Sequence, residues 1–158
     1  MTWIGGHWSE VLVAAAAASL VALLGRLATP LGPWYRNLRK PSWQPPDWLF
    51  GVTWTTIFAC AAASGVLAWQ ADRNRPLVIL LFAINAVLNV LWSVLFFRLR
   101  RPDWALPEAV ALWLSVLAMV LAFRDAALPA SLLLLPYLAW VAFATFLNLT
   151  IVRLNRNV

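Results

Sequence analysis

Arg39–Trp54 reads RKPSWQPPDWLFGVTW, and its reading decides the fold. The stretch carries three prolines and three tryptophans beside two cations, and long apolar runs stand on either side of it. Its prolines forbid a regular helix through the stretch. Its tryptophans and cations suit the boundary between lipid and water. It therefore reads as a stiff connector lying at a membrane surface.

The composition supports that solvent. Hydrophobic residues make up 63% of the 158 positions and charged residues only 11%, whereas a soluble domain carries about a quarter charged residues. So few charges cannot cover a water-facing surface, and the chain reads as an integral membrane protein. Five apolar runs, near 9–28, 48–70, 77–98, 104–124 and 131–153, are long enough to cross a hydrocarbon core. In lipid each must be a helix, since an open sheet leaves backbone groups unsatisfied. The expectation is an all-α bundle of five transmembrane helices in a single domain, residues 1–158. Short turns predict that consecutive helices are antiparallel neighbours. Asp72 with Pro76, Asp103 and Ser131 are expected to open the third, fourth and fifth helices as caps.

The charge of +6 does not point to nucleic acid, because the cations sit at the ends of the apolar runs. Arg26, Arg36, Arg39, Lys40, Arg98, Arg100, Arg101, Arg153 and Arg156 fall on one side, and Arg73, Arg75 and Arg124 on the other. That asymmetry predicts a cytoplasmic C-terminus and a cytoplasmic 30–47 loop, with the N-terminus opposite. The N-terminal MTWIGGHWSE has no basic segment before its first apolar run, so no cleavable leader is expected. Cys60 stands alone, which excludes an internal disulfide and suggests a small buried thiol. His7 is also single, and no metal site or cofactor is expected.

Polar and aromatic groups inside the runs carry the functional signal. Asn85, Asn89 and Trp92 share one face of the third helix. A buried amide in lipid needs a partner, so this face points into the bundle, toward either an interhelical hydrogen bond or a cavity. Trp54 and Trp92 lie roughly 10 Å below the surface by the helical rise, too deep for the interfacial belt. Trp113 and Trp140 are deep as well, while Trp3, Trp8, Trp69 and Trp104 reach the interface. Phe58 is one turn beyond Trp54, and Trp140, Ala144 and Asn148 recur every four residues. Three helices could thus line an aromatic pocket beneath the connector, although aromatic stripes more often build core. Ala61 and Gly65 form a small-residue pair suited to close helix contact or dimerisation. All six acids lie near run ends, Glu108 beside a possible partner in Arg101, so no acid–base pair or proton relay is expected.

WYRNLRKPSWQPPDW at 34–48, followed by Trp54, resembles the signature of the tryptophan-rich sensory protein and translocator protein family. NVLWSVLFF at 89–97 and PYLAWVAFATFLNLTIVRLN at 136–155 agree in order and spacing. The resemblance implies a five-helix bundle, often a homodimer, that binds porphyrins such as protoporphyrin IX under the first loop. Positions matching the family's pocket are Tyr35, Pro45, Trp54, Phe58, Asn89, Trp92, Trp140, Ala144 and Leu147. The function it implies is a porphyrin receptor or sensor; Arg39 and Lys40 could then face the ligand's carboxylates, or contact lipid head groups. One alternative is light-dependent porphyrin breakdown at Trp54 and Trp140. Another is transport of porphyrin or lipid-like ligands. Animal members also bind cholesterol through a motif with tyrosine after Leu-Asn. Here Leu149 follows Leu147-Asn148, so cholesterol binding is not expected. Members often carry a proline just after the Trp92 position. Ser93 and Val94 stand there instead, which predicts a straighter end to the third helix.

Overall fold

A computed structural model of the chain describes residues 8–71 and 74–156. Helix α1 spans Trp8–Leu27, α2 Pro33–Asn37, α3 Asp47–Ala71, α4 Arg75–Ser93, α5 Pro102–Phe123, α6 Leu128–Leu133 and α7 Leu135–Leu154. Five segments are long and apolar enough to cross a membrane: α1, α3, α4 with its final turn to Arg98, α5, and α6 with α7. The chain is an all-helical, multi-pass membrane protein.

The five spans close into a ring. The first packs on the second, the second on the fifth, the fifth on the fourth, the fourth on the third, and the third on the first. Consecutive spans are therefore neighbours with one exception. The second and third have a smaller contact, because α1 packs against both. They meet where Gly65 faces the Phe82 ring, so close that a Cβ at Gly65 would lie 3.4 Å from it. The small-residue pair thus serves packing within the bundle. No residue of α1 is buried, so this helix is the lipid-facing rim.

The helix starts and stops differ in detail from the sequence expectations. Asn74, not Asp72, caps α4: its side chain accepts from the Leu77 amide at 3.3 Å. Asp72 and His7 lie outside the described residues. Asp103 does not cap α5, because Pro102 already occupies the first turn; Asp103 instead binds the Arg101 guanidinium. Ser131 sits inside α6, where its hydroxyl donates to the Val120 carbonyl at 2.8 Å. The fifth span breaks at Leu134, whose amide turns back to Ser131 at 3.1 Å. Pro136 is the physical cause, since it has no N–H to continue the ladder. The end of the third span is not regular α-helix. It widens into a π-helical turn over Val94–Arg98, closed by the Leu99 amide on the Val94 carbonyl at 2.9 Å. Without proline to stop it, the backbone ends by loosening its register.

The connector also departs from a pure extended loop. Pro33 is a good first residue for a helix, and a short helix, α2, follows it through Asn37. Cys60 is half-exposed rather than buried. It lies off the face of α3 that buries Ile57, Ala61, Ser64 and Ala68.

Candidate functional site

The interior of the bundle is held by a polar chain across three spans. On α4 the buried residues are Val78, Asn85, Asn89 and Ser93, one face of the helix. Asn89 donates to the Tyr137 hydroxyl at 2.9 Å, and Tyr137 donates to the Asn85 carbonyl oxygen at 3.0 Å. Asn85 then donates to Ser115 at 2.9 Å, and Ser115 closes on the Leu112 carbonyl at 2.7 Å. Both deep asparagines thus find protein partners, which is the interhelical reading of that face. Tyr137, 2% exposed, is the hub the sequence reading missed. It stands one turn before Val141 on the buried face of α7, a face that only the packed bundle reveals.

Beside this chain lies a narrow cleft. Its walls are Trp54 of α3, Asn89 and Trp92 of α4, Ala109 and Leu112 of α5, and Val141, Ala144 and Thr145 of α7. Trp54, Asn89, Trp92 and Ala144 were expected at one site, and they do meet here. The cleft is almost filled, at about 10 Å³, roughly room for a single water. Aromatic rings close it from both sides. Trp54 stacks on Phe58 at 5.5 Å and meets Tyr137 edge-on at 5.9 Å. Trp92 stacks on Phe96 at 5.2 Å, on the π turn.

The other expected site residues lie around the cleft. Phe58 backs Trp54. Trp140 packs against Phe50 at 5.4 Å and Phe143 at 5.2 Å, outside the cleft wall. Phe50, one turn before Trp54, extends the aromatic stripe and could have been found by its spacing. Asn148 turns to α5. With its amide nitrogen toward the Pro102 carbonyl (3.1 Å) and its oxygen toward the Leu106 amide (3.3 Å), it braces the first turn of that helix. Leu147 is buried in the core cluster with Tyr35, Phe96, Ala105 and Ile151. Pro45 is half-buried in the connector.

The connector is tied to the end of α7. The Arg39 amide donates to the Asn155 side chain at 3.0 Å, and Asn155 donates back to the Arg39 carbonyl at 2.9 Å. Trp43 lies flat on Phe146 at 5.4 Å and edge-on to Phe143 at 6.0 Å. Tyr35, in the α2 turn of the same connector, is buried. Its hydroxyl donates to Asp47 at 3.4 Å and accepts from Gln44 at 3.3 Å. Burial pushes the Tyr35 phenol above its ordinary value, and the nearby Asp47 charge adds to the rise. The Lys40 ammonium sits 3.7 Å from the centre of the same ring. The bonds to Asn155 put the connector and the end of α7 on one face of the bundle.

Besides the Gln44 carbonyl oxygen, three buried groups stand apart. Among the described residues, both oxygens of Glu108 and the indole nitrogens of Trp113 and Trp140 have no hydrogen-bond partner. Glu108 does not pair with Arg101 as expected. Arg101 is taken by Asp103 and stacks over Trp104, 4.4 Å from its ring centre. Glu108 instead lies with Leu112 and Ser115 on the inner face of α5, 8% exposed. Among the described residues no group of His, Cys, Asp and Glu could hold a metal ion.

Comparison with known proteins gives a consistent picture. The TspO/MBR family model matches residues 11–154. The chain is 45% identical over 129 residues to the tryptophan-rich protein TspO of Chlorobaculum tepidum, covering 80% of this chain and 82% of that protein. It is 34% identical over 150 residues to the tryptophan-rich sensory protein of Cereibacter sphaeroides, covering 95% and 94%. It is 35% identical over 128 residues to the translocator protein of Homo sapiens, covering 78% and 76%.

Proposed function

Because the chain belongs to the TspO/MBR family, we propose that it is a membrane receptor and sensor for a porphyrin of the protoporphyrin IX class. The observation that supports this most is the convergence of Trp54, Asn89, Trp92 and Ala144 from three helices on one cleft. A flat, apolar macrocycle gains most from ring faces on either side, and an amide supplies one directional contact. At about 10 Å³ the cleft must widen to admit such a ligand. The Trp54–Phe58 and Trp92–Phe96 stacks part, and the connector lifts as a lid from Asn155 and Phe146. The ligand then makes dominant a conformation that is minor without it.

Arg39 and Lys40 on the lid face the carboxylates of the amphipathic ring. Tyr35, Pro45 and Leu147 shape the lid and its seat, and Trp140 flanks the cleft mouth. The lid and C-terminus face the cytoplasm, following the cation asymmetry. The protein works as a homodimer, with α1 as the helix whose surface is open to a partner.

Titration of detergent-purified protein with protoporphyrin IX in the dark, followed by tryptophan fluorescence, tests the proposal. Saturable quenching that weakens in Trp54→Phe and Asn89→Leu supports it. Quenching without saturation, equal in all three proteins, overturns it. Light-dependent breakdown is the second reading, favoured by the contact of Trp54 with Tyr137 and of Trp140 with Phe50 beside the cleft. It predicts that illumination bleaches the bound porphyrin, whereas a receptor preserves it.

A further inference from the structure

A second cavity lies at the lid end of the bundle, away from the aromatic cleft. It holds about 400 Å³ and is walled by Pro30, Gly32, Trp34, Phe97, Arg98 and Arg100, among others. That volume is within the range of small-molecule sites. Its position is fixed by the Arg98 guanidinium, which donates to the Leu27 carbonyl at the end of α1 at 3.0 Å. The first and third spans end at these residues, so the cavity sits at head-group depth.

The three arginines of this turn are used differently. Arg101 is engaged by Asp103 and by Trp104. Arg98 ties two spans together. Arg100 has no hydrogen bond or ion pair among the described residues, yet it lines the cavity. Its backbone is left-handed, at φ 55°, a conformation that costs a non-glycine residue energy. Leu27, whose carbonyl Arg98 binds, and Leu31 and Leu99, each between two lining residues in sequence, are exposed apolar side chains.

We propose that this cavity is a binding site for an anionic phospholipid. Its phosphate lies between Arg98 and Arg100, and its acyl chains run down over the exposed leucines. Guanidinium groups suit phosphate oxygens because their N–H donors form a planar fork. Basic pockets between spans at the head-group plane have the geometry for this ligand. A free phosphate would use the arginines but leave the exposed leucines without a role. Tyr35 also lines this cavity and so borders both sites, but the phosphate contacts of Arg98 and Arg100 do not rest on the porphyrin reading.

The test is native mass spectrometry of the full chain released from micelles holding equal phosphatidylglycerol and phosphatidylcholine. Wild type is expected to retain phosphatidylglycerol in preference. Arg100→Gln is expected to lower the retained phosphatidylglycerol about fivefold, the effect of one cation near the surface. It removes no internal contact, so the fold should stand. Arg101→Gln, one residue away and outside the cavity, is expected to match wild type. Equal loss in both variants, or loss in neither, overturns the proposal. Excess inorganic phosphate is expected to leave the lipid bound; displacement by phosphate alone overturns the assignment to a lipid.

Discussion

Tyr137 donates its phenolic proton to Asn85 across the interior of the bundle, at 3.0 Å, from the fifth span to the third. Asn89 completes the arrangement by donating to the same hydroxyl. One oxygen thus satisfies both deep amides, and it holds the wall of the aromatic cleft in register. Lipid offers no substitute partner for either amide, so the hydroxyl carries a structural role that no aromatic ring alone could fill.

Tyr137→Phe is therefore expected to destabilise the protein by about 1–3 kcal/mol, the cost of leaving buried polar groups unpaired. Thermal unfolding in detergent reads the loss. In the Asn89→Leu background the same change is expected to cost less, because the donor it orphans is already gone. An unchanged melting temperature in Tyr137→Phe would mean that the amides find other partners.

Glu108 is the opposite case, a buried carboxyl with no partner among the described residues. Glu108→Leu is expected to raise stability by about 1–3 kcal/mol, since it removes an unsatisfied group from an apolar setting. The same melting assay reads it. A fall would point to a partner for the carboxyl at this depth.

The lid is expected to loosen in Asn155→Ala, which removes both hydrogen bonds to the Arg39 backbone. Acrylamide should then quench more of the tryptophan emission, through greater access to Trp43. Porphyrin association and dissociation should both quicken, because the change acts on the lid and not on the cleft. Rates equal to wild type would mean that the lid does not gate the site.

Tyr35 predicts a pH dependence. Its phenol is held above the ordinary value of 10.0 by burial and by the nearby Asp47. The folded state therefore keeps the proton more tightly than the unfolded state. Stability from this group is fully present below pH 10.0 and is lost as pH rises through the folded value. Tyr35→Phe should flatten the alkaline limb of a melting-versus-pH curve. An identical limb in both proteins would contradict the assignment.

Gly65→Ala is expected to be neutral or to stabilise by up to about 1 kcal/mol through helix propensity. The added Cβ would sit 3.4 Å from the end of the Phe82 ring, an ordinary contact. Gly65→Leu is expected to separate the second and third spans and to lower the melting temperature.

The fold class was legible because lipid leaves so few options. Runs of twenty apolar residues with charges at their ends read as helices whatever their neighbours are. The details depended on the partner across the bundle. Asp103 looked like a cap until Pro102 took the first turn and Arg101 took the carboxylate. Ser131 looked like a cap, but α6 already begins at Leu128 with a proline in its first turn.

The face of Asn85, Asn89 and Trp92 was visible from spacing alone, and so was Trp54 one helix away. Tyr137 was not singled out, because a tyrosine near a proline at a helix start reads as an interfacial anchor. Its burial follows from α6, the short helix that carries the chain into the membrane before α7 begins. The π turn was invisible as well, since nothing in VLFFR marks a widened register. The separate cavity at Arg98 and Arg100 needed the tertiary meeting of the 30–35 segment with that turn.

A porphyrin seated between Trp54, Asn89, Trp92 and Ala144, as proposed, needs the space at Ala144. Filling that space tests this seating most directly. Ala144→Leu adds bulk at the cleft wall, where overpacking typically costs about 1–3 kcal/mol, or at least about fivefold in affinity when the ligand must meet it. The measurement is a dark titration of Ala144→Leu and wild type with protoporphyrin IX, after melting curves establish that both are folded. Saturable quenching is expected in wild type, with binding at least about fivefold weaker in the variant. Equal affinity in the two proteins would contradict this seating and move the ligand out of the cleft.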